Sequence, residues 1–332
     1  GLVADDPISV SYKEAYPGEP TGIDHRDNLK MDWSEGHNQA VVNGVGRIGY
    51  MRGGNAALWK DEDIADVFTN EALDFIQREQ SHPFFLYFAT HDIHVPRIPH
   101  PRFVGKTTMG ARGDAIAEFD DSVGRILKQL DDLDLTKKTL VIFSSDNGPV
   151  LDDGYKDNAN EKLGDHKPAG PLRGGKYCPF EGGTRVPFVS RWPEHIQPGT
   201  SDAIISQVDF LASFAALAGQ KPDISAAPDT TNILPALLGK NQTGRDQVIE
   251  HANKLSFRSG KWKYIPAGNY RDQLNRWNRV SVPEPGLLYD LSNDLGETKD
   301  LAAQHPDVIQ ELRARMESLA GDVLPKHAKK VQ

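Results

Sequence analysis

A run of β-branched and apolar residues at 139–143 leads into the sequence Ser-Asp-Asn-Gly-Pro at residues 145–149. A run of this length that stops at Gly-Pro predicts a buried strand of a parallel sheet. Because ligands of open α/β sheets bind beyond the carboxyl ends of the strands, Asp146 and Asn147 are expected where a hard cation or an anionic substrate binds. The alternative is an ordinary strand-end turn in which an Asp side chain caps the backbone.

A second motif, rich in glycine, covers residues 172–187 and contains Arg-Gly-Gly-Lys followed by Glu-Gly-Gly-Thr-Arg-Val-Pro. Its glycines allow the backbone to approach a ligand closely. Lys176 places a positive charge at that approach, and the alternative is a solvated loop lysine. Arg173 and Arg185 are predicted to tie loops together through carboxylates, with Glu181 as a candidate partner.

The chain before these motifs alternates between helical and strand patterns. Apolar residues at helical spacing predict one helix over 60–79 and another over 113–133. Between them, an apolar run at 83–89 predicts a second buried strand, which ends in the sequence His-Asp-Ile-His-Val-Pro at 91–96. Strand, helix and strand in this order predict a βαβ unit and therefore a parallel sheet.

The pattern changes beyond residue 247, where short strands alternate with turn signals. Together with a terminal helix predicted over 306–319, they indicate a small antiparallel sheet capped by that helix. The sequence therefore predicts a large domain over 1–245 and a smaller one over 246–332.

Charge and composition exclude several classes of protein. The net charge of -9 argues against nucleic acid as the main partner. No stretch approaches the roughly eighteen uninterrupted apolar residues of a membrane span, so none is predicted. Cys178 is the single cysteine, which excludes an internal disulfide framework. The first six residues lack the basic and hydrophobic regions of a secretory signal and are typical of mid-protein sequence.

Ser-Asp-Asn-Gly-Pro followed by Arg-Gly-Gly-Lys and Glu-Gly-Gly-Thr-Arg-Val-Pro, with His-Asp-Ile-His-Val-Pro upstream, resembles the type I sulfatases of the alkaline-phosphatase-like superfamily. Residues 259–263 and 288–298 resemble the C-terminal subdomain of these enzymes. The resemblance extends over essentially the whole chain but matches only the later part of a sulfatase. It implies an α/β fold with a mostly parallel sheet flanked by helices, incomplete at its N-terminal side, and a small C-terminal α+β subdomain.

The resemblance also implies roles for individual residues. Asp146 and Asn147 match ligands of the sulfatase calcium, and their oxygens suit Ca²⁺. Lys176 matches the lysine that contacts the sulfate, and His94 matches a histidine that contacts the sulfate or the leaving oxygen, as a proton donor can near neutral pH. His91 is expected to orient the loop, and direct participation in the site is the alternative. His166 could reach substrate hydroxyl groups, and a loop-fixing side chain is the alternative.

Residues 267–279 interleave aromatic, amide and arginine side chains between two predicted strands. Arg271 and Trp277 are the candidate substrate-binding residues, because arginines bind carboxylates and sulfates bidentately and aromatic rings stack on sugars. This segment is predicted to recognise an anionic or multiply sulfated glycan. A solvated hairpin extension is the alternative.

The chain also departs from the family. It lacks the Cys-x-Pro-x-Arg or Ser-x-Pro-x-Arg segment whose first residue becomes the formylglycine nucleophile. It also lacks the adjacent aspartates that follow the first strand of these enzymes and complete the calcium site, because Asp5-Asp6 and Asp152-Asp153 stand in other contexts. We therefore expect a missing N-terminal segment of the same protein to supply the nucleophile, and we expect this chain to be inactive alone.

Three functions remain open at the level of sequence. The first is a sulfatase acting on a sulfated sugar or glycan, which the resemblance places in the periplasm or outside the cell. The second is a phosphodiesterase or phosphonate hydrolase of the same superfamily, which could use Mg²⁺. The third is a non-catalytic remnant that binds carbohydrate.

Overall fold

The structure is a computed structural model that describes residues 7–221, 223, 225, 227–271 and 279–321. These residues form two compact units. The first unit contains the chain up to Thr136 together with Leu151–His166, and the second contains Lys137–Val150 and the chain from Lys167 onward. No helix in the described ranges is both long enough and apolar enough to cross a membrane.

Short strands and two long helices make up the first unit. Its strands are β1 (Ser9–Ser11), β2 (Val41–Val42), β3 (Val45–Gly46) and β4 (Tyr50–Arg52). β1 pairs antiparallel with β4, and β2 pairs antiparallel with β3. Its helices are α1 (Ile64–Glu79) and α2 (Gly110–Asp132), which pack against each other and confirm the two helices predicted from apolar spacing.

The two helices bury different kinds of side chain. α1 buries Ala65, Thr69, Ala72 and Ile76, which lie on one helical stripe, and three acidic residues precede its first turn, where the helix dipole favours negative charge. The buried face of α2 includes Asp114, which accepts hydrogen bonds from the N–H groups of Gly105 (2.8 Å) and Thr107 (2.9 Å). α2 therefore anchors the loop before it through a buried carboxylate.

The prediction of a buried strand at 83–89 is wrong. Among the described residues no strand pairs with this segment, and its side chains alternate between half-buried and exposed. Phe85 is 71% exposed and Tyr87 is 80% exposed. The run has the period and composition of a strand, but none of the described strands pairs with it and alternate side chains are exposed.

In the second unit, β5 (Val141–Ser144) pairs with β6 (Phe188–Arg191), with α3 (Glu181–Thr184) in the connection between them. The predicted strand at 139–143 therefore exists, but its predicted parallel, buried setting is wrong, because the pairing is antiparallel and all four residues are half-buried. Among the described strands, β6 is the one that pairs with β5. Since Ser144 lies opposite Phe188, the end of β5 and the start of β6 meet at one edge, which brings both sequence motifs together.

The remainder of the second unit begins with α4 (Phe210–Leu217) and α5 (Leu234–Leu237), followed by β7 (Gln247–His251), β8 (Leu255–Ser259), β9 (Trp262–Ile265), β10 (Gly268–Arg271), β11 (Arg279–Val282), β12 (Leu287–Asp290) and α6 (Pro306–Ala320). A four-stranded antiparallel sheet has the order β12-β9-β8-β7, and β10 pairs with β11 as a separate hairpin. α6 packs on this sheet through Ile309, Leu312 and Met316. The predicted small sheet with a terminal helix is confirmed.

The four-stranded sheet belongs to the same compact unit as β5 and β6. The boundary between 245 and 246 stays a prediction.

Candidate active site

The turn after β5 carries the two predicted metal ligands. Asp146 is exposed, and its Oδ1 accepts a hydrogen bond from the N–H of Asn147 (2.8 Å). Asn147 is half-buried and donates its Nδ2 to the carbonyl of Gly148 (2.9 Å), while Ser145 Oγ donates to the Asn147 carbonyl (3.0 Å). With its amide nitrogen engaged on the backbone, Asn147 keeps its Oδ1 as a lone-pair donor. The turn therefore presents the Asp146 carboxylate and the Asn147 Oδ1, two oxygen groups of the type that binds Ca²⁺.

Backbone hydrogen bonds join this turn to the glycine-rich motif. The N–H of Gly148 donates to the carbonyl of Gly183 (3.0 Å), and the N–H of Lys176 donates to the carbonyl of Pro149 (2.8 Å). A Cβ atom on Gly148 would lie 1.8 Å from the carbonyl oxygen of Gly182. Glycine is required at residue 148 because the two backbones touch there, and Lys176 is thereby held next to the Asp146–Asn147 turn.

Tyr177 links Lys176 to a second predicted site residue. The Nζ of Lys176 lies 5.2 Å from the centroid of the Tyr177 ring, and the Cζ of Arg271 lies 4.4 Å from the same centroid. Tyr177 has a φ of 75°, a left-handed conformation that is uncommon for residues other than glycine. The structure thus places Lys176 and Arg271 against one aromatic ring. Trp277 lies outside the described residues.

A group of charged side chains surrounds Glu181 of the glycine-rich motif. Glu181 at the start of α3 is fully buried and pairs with Lys263 Nζ (3.0 Å), which is also fully buried, and with Arg258 (3.6 Å) and Arg185 (3.5 Å). Burial alone would raise the pKa of Glu181, but the charges of Lys263 and Arg258 outweigh it and lower that pKa. The predicted pairing of Arg185 with Glu181 is observed.

Glu297 completes this group. Its Oε2 accepts the N–H of Glu181 (2.7 Å), and its Oε1 makes no hydrogen bond with the residues that the structure describes. Burial raises the pKa of Glu297 to about 8, against the opposing charge of Lys263. Arg173 contacts the same region through the Tyr289 hydroxyl and the Glu297 carbonyl, both at 3.2 Å.

Sequence reasoning missed Lys263, Glu297 and Tyr177. The available signal for Lys263 was a lysine flanked by aromatic residues in a predicted strand, and for Tyr177 an aromatic residue directly after the motif lysine. Glu297 lies in the segment that resembles the C-terminal subdomain, but only its long-range contact with Glu181 distinguishes it from a surface glutamate.

His94 belongs to the first unit and is exposed. Its Nδ1 lies 2.7 Å from the carbonyl oxygen of Val95. Because a carbonyl oxygen can only accept, Nδ1 carries the proton, and the neutral ring then presents Nε2 as an acceptor. The preceding residue, Ile93, has a φ of 73°, which is strained for a β-branched side chain.

His91 and His166 also lie in the first unit. Both ring nitrogens of His91 are buried and make no hydrogen bond within the described ranges, and burial lowers its pKa although the charge of Asp61 opposes this. His91 is therefore a neutral, packed ring at neutral pH and does not orient the loop through hydrogen bonds to described residues. His166 is exposed, and its backbone N–H donates to the carbonyl of Leu163 (3.3 Å).

The oxygen ligands suit Ca²⁺ in type but not in number. Ca²⁺ takes about six to eight oxygen ligands, whereas Asp146 and Asn147 provide two side chains. In the described part of the chain, no group of three or more His, Cys, Asp or Glu side chains could hold a metal ion. A cation bound at this turn needs further ligands.

Comparison with known proteins identifies relatives. The sulfatase family matches residues 13–220. An N-acetylgalactosamine-6-O-sulfatase of Bacteroides thetaiotaomicron is 46% identical over 323 residues, which cover 96% of this chain and 63% of that protein. Human arylsulfatase A is 33% identical over 266 residues, 74% of this chain and 50% of that protein. The chain thus spans about half to two thirds of the length of these relatives.

Solved structures agree with these relatives. A Bacteroides thetaiotaomicron protein whose structure was solved in connection with the metabolism of multiple glycosaminoglycans has a TM-score of 0.88 and 46% identity, covering 96% of this chain and 67% of that one. The structure of Ps i-CgsB with a neocarrahexaose has a TM-score of 0.63 and 25% identity, covering 78% and 55%. The first likeness extends over nearly the whole chain and confirms the predicted α/β, alkaline-phosphatase-like fold class.

Proposed function

The chain belongs to the sulfatase family, and from this membership we propose that the protein hydrolyses a sulfate ester on a carbohydrate. The observation that carries the proposal is the backbone contact between the Asp146–Asn147 turn and the loop that holds Lys176. A sulfate ester is an anion, so its cleavage requires positive charge next to the reacting oxygens and a donor for the departing alcohol. This contact, within the second unit, supports a site that places positive charge next to the reacting oxygens.

Lys176 and His94 are the residues to which we assign catalytic roles. Lys176 binds a sulfate oxygen as a point charge. His94 acts at the leaving oxygen through Nε2, because the Val95 carbonyl occupies Nδ1. When the ring is doubly protonated, Nε2 can give its proton to the departing alcohol, and the neutral ring can take one back.

We assign Asp146 and Asn147 to a Ca²⁺ site as two of its oxygen ligands. The cation would neutralise charge on the sulfate oxygens. The support is the exposed carboxylate beside the braced amide oxygen. Further ligands have to come from elsewhere in the protein.

We propose that the substrate is a glycan containing N-acetylgalactosamine 6-sulfate. The support is the relative of that activity, which is 46% identical over 96% of this chain. His166, Arg271 and Trp277 are the proposed substrate-binding residues. A glycan of this kind fits a periplasmic or secreted enzyme, which is the location that we propose.

The nucleophile requires a separate proposal. None of the 332 residues forms the Cys-x-Pro-x-Arg or Ser-x-Pro-x-Arg segment that the family uses. We propose that an N-terminal segment of the same protein provides the formylglycine and the remaining calcium ligands. This chain then contributes Lys176 and two of the calcium ligands, and the other segment contributes the nucleophile.

Hydrolysis by the full-length protein tests the function. We expect it to release sulfate from N-acetylgalactosamine 6-sulfate faster than from the 4-sulfate isomer, and to release phosphate more slowly from an aryl phosphodiester. Removal of Ca²⁺ with a chelator should lower the rate, and added Ca²⁺ should restore it. Faster cleavage of the phosphodiester would favour the alternative activity, and binding of the sulfated sugar without any hydrolysis would favour a carbohydrate-binding protein.

A further inference from the structure

The hairpin of β10 and β11 has one apolar and one polar face. Tyr270 and Val282 belong to a buried cluster that also contains Cys178 and Phe180, and Val280 packs against this cluster. Since successive residues of a strand point to opposite faces, the remaining residues share the other face. That face consists of one amide, one hydroxyl and two guanidinium groups: Asn269, Ser281, Arg271 and Arg279.

The strand register places two positive charges directly opposite each other. Arg271 pairs with Arg279 at the end of the ladder, and side chains at directly opposed positions lie on the same face. Like charges in this arrangement destabilise a strand pair. Arg279 is exposed and Arg271 is half-buried. An anion bound at this face would offset the repulsion between the two guanidinium groups.

The Arg271 guanidinium also stacks near the proposed sulfate-binding lysine. Its Cζ and the Nζ of Lys176 lie 4.4 and 5.2 Å from the centroid of the Tyr177 ring. The two cations are therefore at most about 10 Å apart, because each is within about 5 Å of the same point. Groups on one sugar or on two adjacent sugars can bridge such a separation.

The buried cluster fixes this spacing. Cys178 and Phe180 follow Lys176 and Tyr177 in the chain, and they pack against Tyr270 on the apolar face of the hairpin. Cys178, Phe180 and Tyr270 are 0%, 0% and 4% exposed. The polar face of the hairpin and the Tyr177 ring are thus attached to one packed core, so their separation does not depend on the rotamers of exposed side chains alone.

We infer that the polar face of the hairpin, together with Tyr177, forms a second anion-binding subsite that recognises a carboxylate or an additional sulfate on the glycan. Arginine binds such groups bidentately, and the exposed amide and hydroxyl groups can pair with sugar hydroxyls. This inference deepens the proposed function and rests on it. It makes Arg271 a specificity residue for the sugar next to the one that carries the scissile ester.

Calorimetric binding to the full-length protein, with its nucleophile residue replaced by alanine so that the probes are not hydrolysed, tests the subsite with four probes. They are N-acetylgalactosamine 6-sulfate alone, a disaccharide of this sugar with a uronic acid, the same disaccharide with its carboxylate reduced to an alcohol, and the reduced disaccharide with an additional sulfate. We expect the carboxylate to tighten binding about tenfold or more relative to the reduced disaccharide, as for a charge-assisted hydrogen bond. The additional sulfate should restore that gain if the subsite accepts either anion.

Arg271→Gln should abolish the gain that either anion gives, and Arg271→Lys should restore only part of it. The matched control is Arg315→Gln, which removes a guanidinium group from α6. The Cζ of Arg315 lies 5.9 Å from the centroid of the Phe257 ring in β8. A gain that survives Arg271→Gln, or a gain that Arg315→Gln abolishes equally, would overturn the inference. Binding of the monosaccharide with no gain from either anion contradicts the subsite alone, whereas no binding of any sulfated sugar contradicts the proposed function as well.

Discussion

Among single residues, Glu297 has a pKa well above that of an exposed glutamate. Its side chain is fully buried beside Glu181 and Lys263, and burial raises its pKa from 4.5 to about 8. Between these two values the folded protein holds a proton that the unfolded chain has lost. The free energy of unfolding therefore contains a contribution from Glu297 that is present at low pH and is lost as the pH rises through the folded-state pKa.

Replacement of Glu297 by glutamine should remove this pH dependence. Within the window from about pH 4.5 to about 8, the contribution of Glu297 falls by about 1.4 kcal/mol for each pH unit. Glutamine stays neutral and keeps an oxygen for the Glu181 N–H, so Glu297→Gln should flatten the decline. Urea unfolding across this range measures the effect. Glu284→Gln, at a carboxylate whose side chain is 74% exposed, is the control. Parallel pH profiles for Glu297→Gln and the unsubstituted protein would contradict the prediction.

Lys176→Ala tests the proposed contact with sulfate at the same scale. Removal of a preorganised charge that acts in the transition state costs on the order of 3 kcal/mol, or roughly a hundredfold in kcat. We expect this loss in the full-length enzyme with little change in stability, because the backbone N–H of Lys176 still donates to Pro149. Lys240→Ala, at an exposed lysine of the same unit, should leave kcat unchanged. An unaltered kcat for Lys176→Ala would exclude the assigned role.

At the scale of elements, the turn after β5 and the start of α3 depend on close backbone contact. A Cβ atom on Gly148 would lie 1.8 Å from the Gly182 carbonyl oxygen, whereas a Cβ atom on Gly199 would meet nothing within 4 Å. Gly148→Ala should therefore destabilise the protein by about 1–3 kcal/mol or more through overpacking. It should also weaken Ca²⁺ binding by the full-length protein, because it displaces the turn that holds Asn147.

Urea unfolding and calcium titration of Gly148→Ala measure both effects, and Gly199→Ala is the matched control in the same unit. If the two alanine variants unfold at the same urea concentration, the two backbones do not need to touch as described. If Gly148→Ala loses stability but binds Ca²⁺ normally, the turn is not part of the metal site.

The elements also show how far the sequence predicts the fold. Periodicity predicted α1, α2, α6 and the C-terminal strands, because a helix or hairpin is decided mainly by nearby residues. It did not predict the orientation of β5 or that 83–89 stays outside the described sheets, since strand partners lie far away in sequence. Nor did it predict the buried face of α2. The apolar residues whose spacing predicts this helix are mostly half-buried, whereas Arg112, Asp114 and Glu118 are buried. These apolar residues are Ile116, Phe119, Val123, Ile126, Leu127 and Leu130.

In the candidate site, too, local sequence predicts some residues and does not predict the long-range contacts. Motif spacing predicted Asp146, Asn147 and Lys176, and the structure brings their loops together by backbone contact. It did not predict the buried pairing of Lys263 with Glu181, because 82 positions separate the two residues. The contact of Arg271 with Tyr177 likewise depends on the packing of the hairpin and not on any local pattern.

For the molecule as a whole, residues 1–332 should show no sulfatase turnover alone. They contain no segment that the family could convert to formylglycine, and two ligand side chains are too few for tight Ca²⁺ binding. An assay of purified chain with an aryl sulfate, with heat-inactivated chain as the control, measures this. A sulfatase activity that copurifies with the chain and is absent after heating would contradict the proposal that the nucleophile lies elsewhere.

The exposed apolar run at 83–89 should also dominate the solution behaviour of this chain. Phe85 and Tyr87 are 71% and 80% exposed in a segment with the alternation of a strand, so they provide apolar surface for self-association. Replacement of both by threonine keeps β propensity and removes the rings. We expect the double variant to bind less of a hydrophobic dye and to associate less in sedimentation experiments. Tyr12→Thr, at a tyrosine that is 72% exposed, is the control for loss of an exposed ring. If the chain is monomeric and the double variant behaves as the unsubstituted chain does, the run at 83–89 needs no partner to cover it.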